Sequence, residues 1–143
     1  MTAKRVLLVD DEEEFVSVLA ERLELRDLEV DTAGSGEVAL EKAEQKAFDA
    51  ILLDMAMPGM NGIDTLKALL GLNPDLQVIL LTGRATMEQA VEAMKLGALD
   101  ILEKPAVLEN LVNRIEEAAA RKTTLTEERI DEKMTDILHR KGW

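Results

Sequence analysis

The sequence predicts an α/β fold, a five-stranded parallel sheet with helices on both faces. Three observations carry that prediction. Compact apolar runs recur at residues 6–9, 50–53 and 78–81, with a fourth at 99–102 interrupted by Asp100, and apolar runs of this length suit strands covered on both sides. Between them lie stretches with apolar residues at helical spacing. The two patterns alternate strand–helix five times over, which implies right-handed crossovers onto one parallel sheet.

Each element has its own signal. Residues 6–9, Val-Leu-Leu-Val, form the first strand, and Phe15, Val18, Leu19 and Leu23 fall on one face of the helix after it. Residues 29–33 are a weaker, half-polar run of edge-strand character. Ser35 can cap a helix carrying Val38, Leu40 and Ala43. The strand at 50–53 leads to Asn61-Gly62, which introduces a helix with Ile63, Leu66 and Leu70. After the strand at 78–81, Thr86 and Gln89 pair as a capping box ahead of Ala90, Val91 and Met94, and Gly97 stands where a glycine ends a helix. The strand at 99–102 precedes a fifth helix with Leu108, Leu111, Val112 and Ile115.

Beyond that helix, Arg121-Lys-Thr-Thr124 reads as a break, and Thr124 with Glu127 as a second capping box. Ile130, Met134, Ile137 and Leu138 then predict an extra C-terminal helix, with His139, Arg140 and Lys141 well placed at its negative end. About fifteen residues is marginal for an isolated helix, so the tail is expected to pack on its own domain, a dimer or partner contact being the alternative. The chain thus divides into one domain at 1–121 and a tail at 122–143 with no room for an effector domain.

Composition narrows the function. A net charge of −12 with scattered basic residues repels a phosphate backbone, so nucleic acid is not an expected partner. Cysteine is absent, which excludes thiolate chemistry and suits the cytosol. The apolar run at 6–9 ends in a block of acids, unlike a signal peptide, and nothing reaches the length of a membrane span. With only Phe15, Phe48 and Trp143 as aromatics, the core must be aliphatic.

Four strand ends carry polar residues of chemical interest. They are Asp10-Asp11, Asp54, Thr82, and Lys104 in Glu103-Lys104-Pro105. In open α/β sheets, sites form outside the carboxyl ends of the strands, so these residues can converge. Three close carboxylates repel unless a cation joins them, and Mg²⁺ favours oxygen ligands of this kind. A carboxylate is also a nucleophile for phosphoryl groups, with Lys104 supplying positive charge and Thr82 a hydroxyl donor. Taken singly, each has a plainer reading. An Asp at a strand–helix junction caps, Asp54 or Thr82-Gly83 turns, a lysine before proline is solvated, and Met55, Met57 and Met60 pack. Their joint occurrence at four strand ends favours a site.

The segments Val6-Leu-Leu-Val-Asp-Asp-Glu12, Asp54-Met-Ala-Met-Pro-Gly-Met-Asn-Gly62, Leu81-Thr-Gly83 and Gly97-Ala-Leu-Asp-Ile-Leu-Glu-Lys-Pro105 resemble, in order, those of the receiver domain of two-component response regulators. The resemblance spans roughly residues 4–120. It implies the flavodoxin-like strand order 2-1-3-4-5, for which a receiver is a standing example. It also implies that Asp54 accepts a phosphoryl group from a histidine kinase, so the chain is a signalling phosphoacceptor and not an enzyme with a separate substrate. Mg²⁺ would be held by Asp10, Asp11, Asp54 and the backbone carbonyl of Ala56. Thr82 and Lys104 would engage the phosphoryl oxygens, and Lys104-Pro105 would be cis. Ala56 and Arg84 would flank the path of hydrolytic water and tune the lifetime of the phosphorylated state. Receivers often carry an aromatic switch ring where this chain has Ile101, and Leu99 replaces another frequent aromatic, so the usual readout through Thr82 and that ring is altered.

Three other functions compete. An aspartyl-nucleophile phosphatase wants Asp-x-Asp-x-Thr, where this chain reads Asp10-Asp-Glu-Glu-Glu14. A flavin mononucleotide carrier needs a Ser/Thr/Gly loop where five acids stand. A receiver-like binding module with little phosphorylation is the third, although none of the chemical residues is missing. The expected partners are a histidine kinase or phosphotransfer protein and a downstream protein target, with a second copy of the chain as the alternative use of the tail.

Overall fold

The computed structural model describes residues 3–57, 59–83 and 87–140. Five parallel strands, β1 (Arg5–Val9), β2 (Glu29–Ala33), β3 (Ala50–Asp54), β4 (Val78–Thr82) and β5 (Asp100–Glu103), lie in the order β2-β1-β3-β4-β5. Helices α1 (Glu13–Glu24), α2 (Gly36–Gln45), α3 (Gly62–Leu72), α4 (Met87–Leu96) and α5 (Leu108–Arg140) alternate with them. This is the doubly wound architecture that the alternating pattern requires.

The central strands are apolar throughout because each of their faces is roofed. Leu7 and Val9 of β1, Ile51 and Leu53 of β3, and Val78 and Leu80 of β4 pack with Ala39 of α2, Leu66 and Leu69 of α3, and Ala93 of α4. The alternate residues, Val6, Leu8, Ala50, Leu52, Ile79 and Leu81, pack with Ala20 and Leu23 of α1 and Leu111, Val112, Ile115 and Ala118 of α5. Each such side chain contributes about 1.5–3 kcal/mol on leaving water. β5 is displaced by one residue from the expected 99–102 and only half buried, because it closes the sheet order and has a neighbour on one side alone.

The helix starts largely follow their caps. Ser35 Oγ accepts from Val38 N at 3.2 Å, and Asn61 Oδ1 accepts from Asp64 N at 2.9 Å. At the end of α4, Gly97 takes φ of +111° while Gly97 N donates to Met94 O and Ala98 N to Ala93 O, a pairing that closes the last turn. The expected Thr86 cap lies outside the described residues. Three helix faces differ from expectation. Val18, Val38, Val91 and Met94 are exposed, while Ala20, Ala39 and Ala93 are buried in their place. A small residue lets the helix backbone approach the sheet, which rotates the larger neighbour outward.

The C-terminal segment is helical, but the break at 121–124 is absent. α5 runs continuously from Leu108 to Arg140. The hydroxyls of Thr123 and Thr124 donate to the carbonyls of Ala119 and Ala120, four residues back, so these polar side chains are satisfied without leaving the helix. No Gly or Pro interrupts that span. Lys122 pairs with Asp49, and Arg129 grips Asp75 through both carboxylate oxygens. Beyond Arg129, residues 130–140 are all exposed, so the expected docking of the tail on its own domain does not extend along it.

Candidate phosphoacceptor site

Register brings the site together. Val9 pairs with Leu53, so Asp10 emerges beside Asp54, the last residue of β3. Asp54 is aligned with Leu81, and Thr82 with Glu103, so Thr82 and Lys104 leave the sheet at the same edge. The Lys104 backbone N–H donates to Thr82 O at 2.7 Å, which fixes where the lysine begins. Lys104-Pro105 is cis, as expected.

Asp10 is only 3% exposed and Asp54 only 4%. Asp10 Oδ1 accepts from Glu12 N at 2.9 Å, so Asp10 organises the turn into α1 without capping the helix itself. Its other oxygen accepts from Lys104 Nζ at 2.7 Å. The same ammonium lies 3.4 Å from Asp54 Oδ1 and 3.9 Å from Glu12 Oε1. Asp54 Oδ1 also receives the Ala56 N–H at 3.4 Å. Burial, and next the charge of Asp10, push the Asp54 carboxyl above its ordinary pKa, against the pull of Lys104 and the Ala56 amide. For Lys104, burial opposes the charged form, but the Asp10 hydrogen bond and the charges of Asp54, Asp10 and Glu12 outweigh it and raise its pKa.

Asp10, Asp11 and Asp54 each offer a carboxylate oxygen, all within 4.8 Å of one another. An all-oxygen donor set with excess negative charge, partly open through exposed Asp11, fits a hard divalent cation such as Mg²⁺. Ala56, two residues after Asp54, is exposed.

Of the residues expected at the site, the structure gathers Asp10, Asp11, Asp54 and Lys104, with Thr82 buried at the same sheet edge. Ile101 is not among them. It is half-buried on β5 and packs on the cluster containing Leu80 and Ala93. Arg84 lies outside the described residues. Two site features were missed. Phe15, assigned to the core face of α1, also presents its ring to Lys104 Nζ, 4.3 Å from the centroid. Gly62 is buried so tightly that a Cβ would fall 2.4 Å from Met55 Cα and 2.7 Å from Asp54 O. The glycine is what lets the start of α3 lie against the backbone of Asp54 and Met55. Its signal was present in the sequence as the last residue of the Asp54–Gly62 motif.

The sheet order and the cluster of Asp10, Asp11, Asp54 and Lys104 agree with the resemblance carried by the sequence, and so do the comparisons with known proteins. The family model of the response regulator receiver domain matches residues 6–116, and the chain belongs to that family. Over 115 residues it is 41% identical to the transcriptional regulatory protein ZraR of Escherichia coli (strain K12), covering 80% of this chain and 26% of that protein. It is 38% identical over 115 residues to the transcriptional regulatory protein PrrA of Mycobacterium tuberculosis, covering 80% of this chain and 49% of that one. The chain therefore spans from about a quarter to about half of these relatives. Among solved structures it is similar to a CheY-like receiver domain protein from Methanospirillum hungatei JF-1, with a TM-score of 0.81 at 29% identity, covering 86% of this chain and 98% of that one. It is also similar to a response regulator from Burkholderia pseudomallei with a phosphorylated aspartic acid, calcium ion and citrate. There the TM-score is 0.75 at 30% identity, covering 97% of this chain and 86% of that one.

Proposed function

We propose that this receiver is a phosphoacceptor that takes a phosphoryl group from the phosphohistidine of a sensor kinase onto Asp54. One observation carries the reading: the Asp54 carboxylate is buried at the sheet edge with Lys104 Nζ 3.4 Å away and the Asp10 and Asp11 carboxylates beside it. A carboxylate oxygen of Asp54 attacks phosphorus, the phosphorus–nitrogen bond to the donor imidazole breaks, and an acyl phosphate results. Lys104 places positive charge where the transferred oxygens gather, and the Thr82 hydroxyl can donate to one of them. Mg²⁺ held by Asp10, Asp11, Asp54 and the Ala56 carbonyl would supply further neutralising charge. The phosphorylated aspartate of the Burkholderia relative supports the choice of residue type, and its calcium ion supports a divalent cation in the acidic pocket.

The chain then acts as a switch in phosphorelay signalling and not as an enzyme on a separate substrate. Its output is a change of protein contacts, with a kinase or phosphotransfer protein upstream and a protein target downstream. A cytosolic setting and the absence of nucleic-acid contacts fit its acidity. Ala56 offers no side-chain polar group to orient attacking water, so the acyl phosphate should be long-lived, and the resemblance assigns Arg84 to the same control. The test is incubation with acetyl phosphate and Mg²⁺ followed by intact-mass measurement. One phosphoryl adduct that Asp54→Asn abolishes is the expected result, and an adduct persisting in that variant sinks the assignment. Faster decay in Ala56→Asn and Arg84→Glu is expected, and unchanged decay in both would remove them from control of the lifetime.

A further inference from the structure

We infer that Phe15 is a positioning residue for phosphoryl transfer, its ring face holding the Lys104 ammonium beside Asp54; this rests on the phosphoacceptor reading. Lys104 reaches the site on a flexible four-carbon stem that must be held at its end to be of use. The structure gives that end three kinds of neighbour. Asp10 accepts its hydrogen bond at 2.7 Å, Asp54 and Glu12 lie at 3.4 and 3.9 Å, and the Phe15 centroid lies at 4.3 Å. The carboxylates are contested, since Asp10 and Asp54 are also the oxygens offered to a divalent cation and Asp54 is the nucleophile.

Glu12 stands at 3.9 Å with its side chain 68% exposed, so the ring is the sheltered neighbour with no such second duty. Its negative face attracts the ammonium without neutralising it and without ligating anything. The Lys104 side chain is 15% exposed, so water screens this attraction little. Phe15 is itself held firmly. It sits in the first turn of α1 and packs, partly buried, on the cluster of Leu8, Ala20 and Leu23. Leucine or isoleucine would fill that place in an otherwise aliphatic core, and the other phenylalanine, Phe48, is spent wholly on packing. An aromatic ring at Phe15 adds what an aliphatic side chain lacks, a charge-attracting face aimed at the lysine.

The test replaces Phe15 in the full chain with mono-, di- and trifluorinated phenylalanine, which keep the ring's shape while progressively weakening its negative face. Phe15→Leu and Phe15→Tyr accompany them. Two quantities are read: the initial rate of phosphorylation by acetyl phosphate with Mg²⁺, and the Lys104 ε-methylene proton resonance in metal-free protein. In the parent that resonance should lie upfield through the ring current and lose its displacement in Phe15→Leu. Rates should fall stepwise with fluorination and by about threefold to twentyfold in Phe15→Leu, the range a partly desolvated cation–ring contact covers. Phe15→Tyr should keep both properties. Fluorinated chains that match the parent rate, whether or not Phe15→Leu is slow, would reduce Phe15 to packing and overturn the inference. A parent that takes no phosphoryl group would overturn the phosphoacceptor reading instead and this inference with it. An active parent with a flat fluorination series fails the inference alone.

Discussion

Asp10, more than Asp54, is the carboxylate that holds Lys104: the Nζ contact is 2.7 Å to Asp10 Oδ2 and 3.4 Å to Asp54 Oδ1. The lysine therefore serves first as the counter-ion of buried Asp10 and leaves Asp54 only partly compensated. Lys104→Met should strand both buried carboxylates and lower stability by about 2–3 kcal/mol at neutral pH. Urea unfolding measures this. Because the Lys104 pKa is raised in the folded state, its contribution is complete below the unfolded value and disappears as pH climbs through the folded one. The parent and the Met variant should accordingly converge in strong alkali.

Asp54→Asn should raise stability. The folded-state pKa of Asp54 lies above its unfolded value, so the folded protein binds that proton more tightly. Stability is then greatest in acid and declines as pH rises from the unfolded pKa through the folded one. Asparagine removes that decline. At neutral pH the gain should be on the order of 1 kcal/mol, and the difference should vanish below about pH 4. Thermal melts of both proteins across that range check the sign.

Mg²⁺ should stabilise the chain by mass action, by about 1.4 kcal/mol at ten times its dissociation constant. Asp11→Ala should abolish most of that increment while changing the metal-free melting temperature little, because Asp11 is exposed. A large metal-free loss would instead make Asp11 a structural residue of the turn. Melting with and without chelator distinguishes the two.

Gly62→Ala should destabilise by about 2 kcal/mol, since its new methyl would strike backbone atoms of Met55 and Asp54 that cannot rotate away. The same strain displaces the loop bearing Ala56, so phosphorylation should slow as well. Normal phosphorylation with unaltered melting would show that the helix start can move freely.

Removing residues 124–143 should leave a cooperatively melting, phosphorylatable domain, because the described residues from Thr126 onward are all exposed. A change confined to the association state would make the segment an interface between copies. Calorimetry and sedimentation together separate these results.

The sheet was legible because the Val/Ile/Leu runs of β1, β3 and β4 leave no alternative to strands covered on both faces. The site was legible because its residues follow those strands directly, so register alone brings Asp10, Asp54 and Thr82 to one edge. What escaped depends on approach distances that no periodicity records. Val91 and Met94 obey helical spacing as well as any core residue, yet small Ala93 takes the inward position. Phe15 reads as a core side chain, and its contact with a cation appears only once Lys104, far along the chain, arrives above it. The continuity of α5 was hidden because Arg121-Lys-Thr-Thr124 reads as a break with Thr124 as a cap, until the hydroxyls of Thr123 and Thr124 are seen to turn back along the helix.

That continuity makes α5 a mechanical arm. Its root, Leu111 to Ala119, is embedded in the same packing as Leu8, Leu52 and Leu81, one layer beneath the acidic pocket. From Ala120 to Arg140 the helix extends about 30 Å at 1.5 Å per residue, clasped near its middle by Asp75. A tilt of about 5° at the root would sweep its far end through about 2–3 Å, a simple consequence of that length. Any small shift among the leucines at the root would thereby arrive enlarged at the far end of the helix.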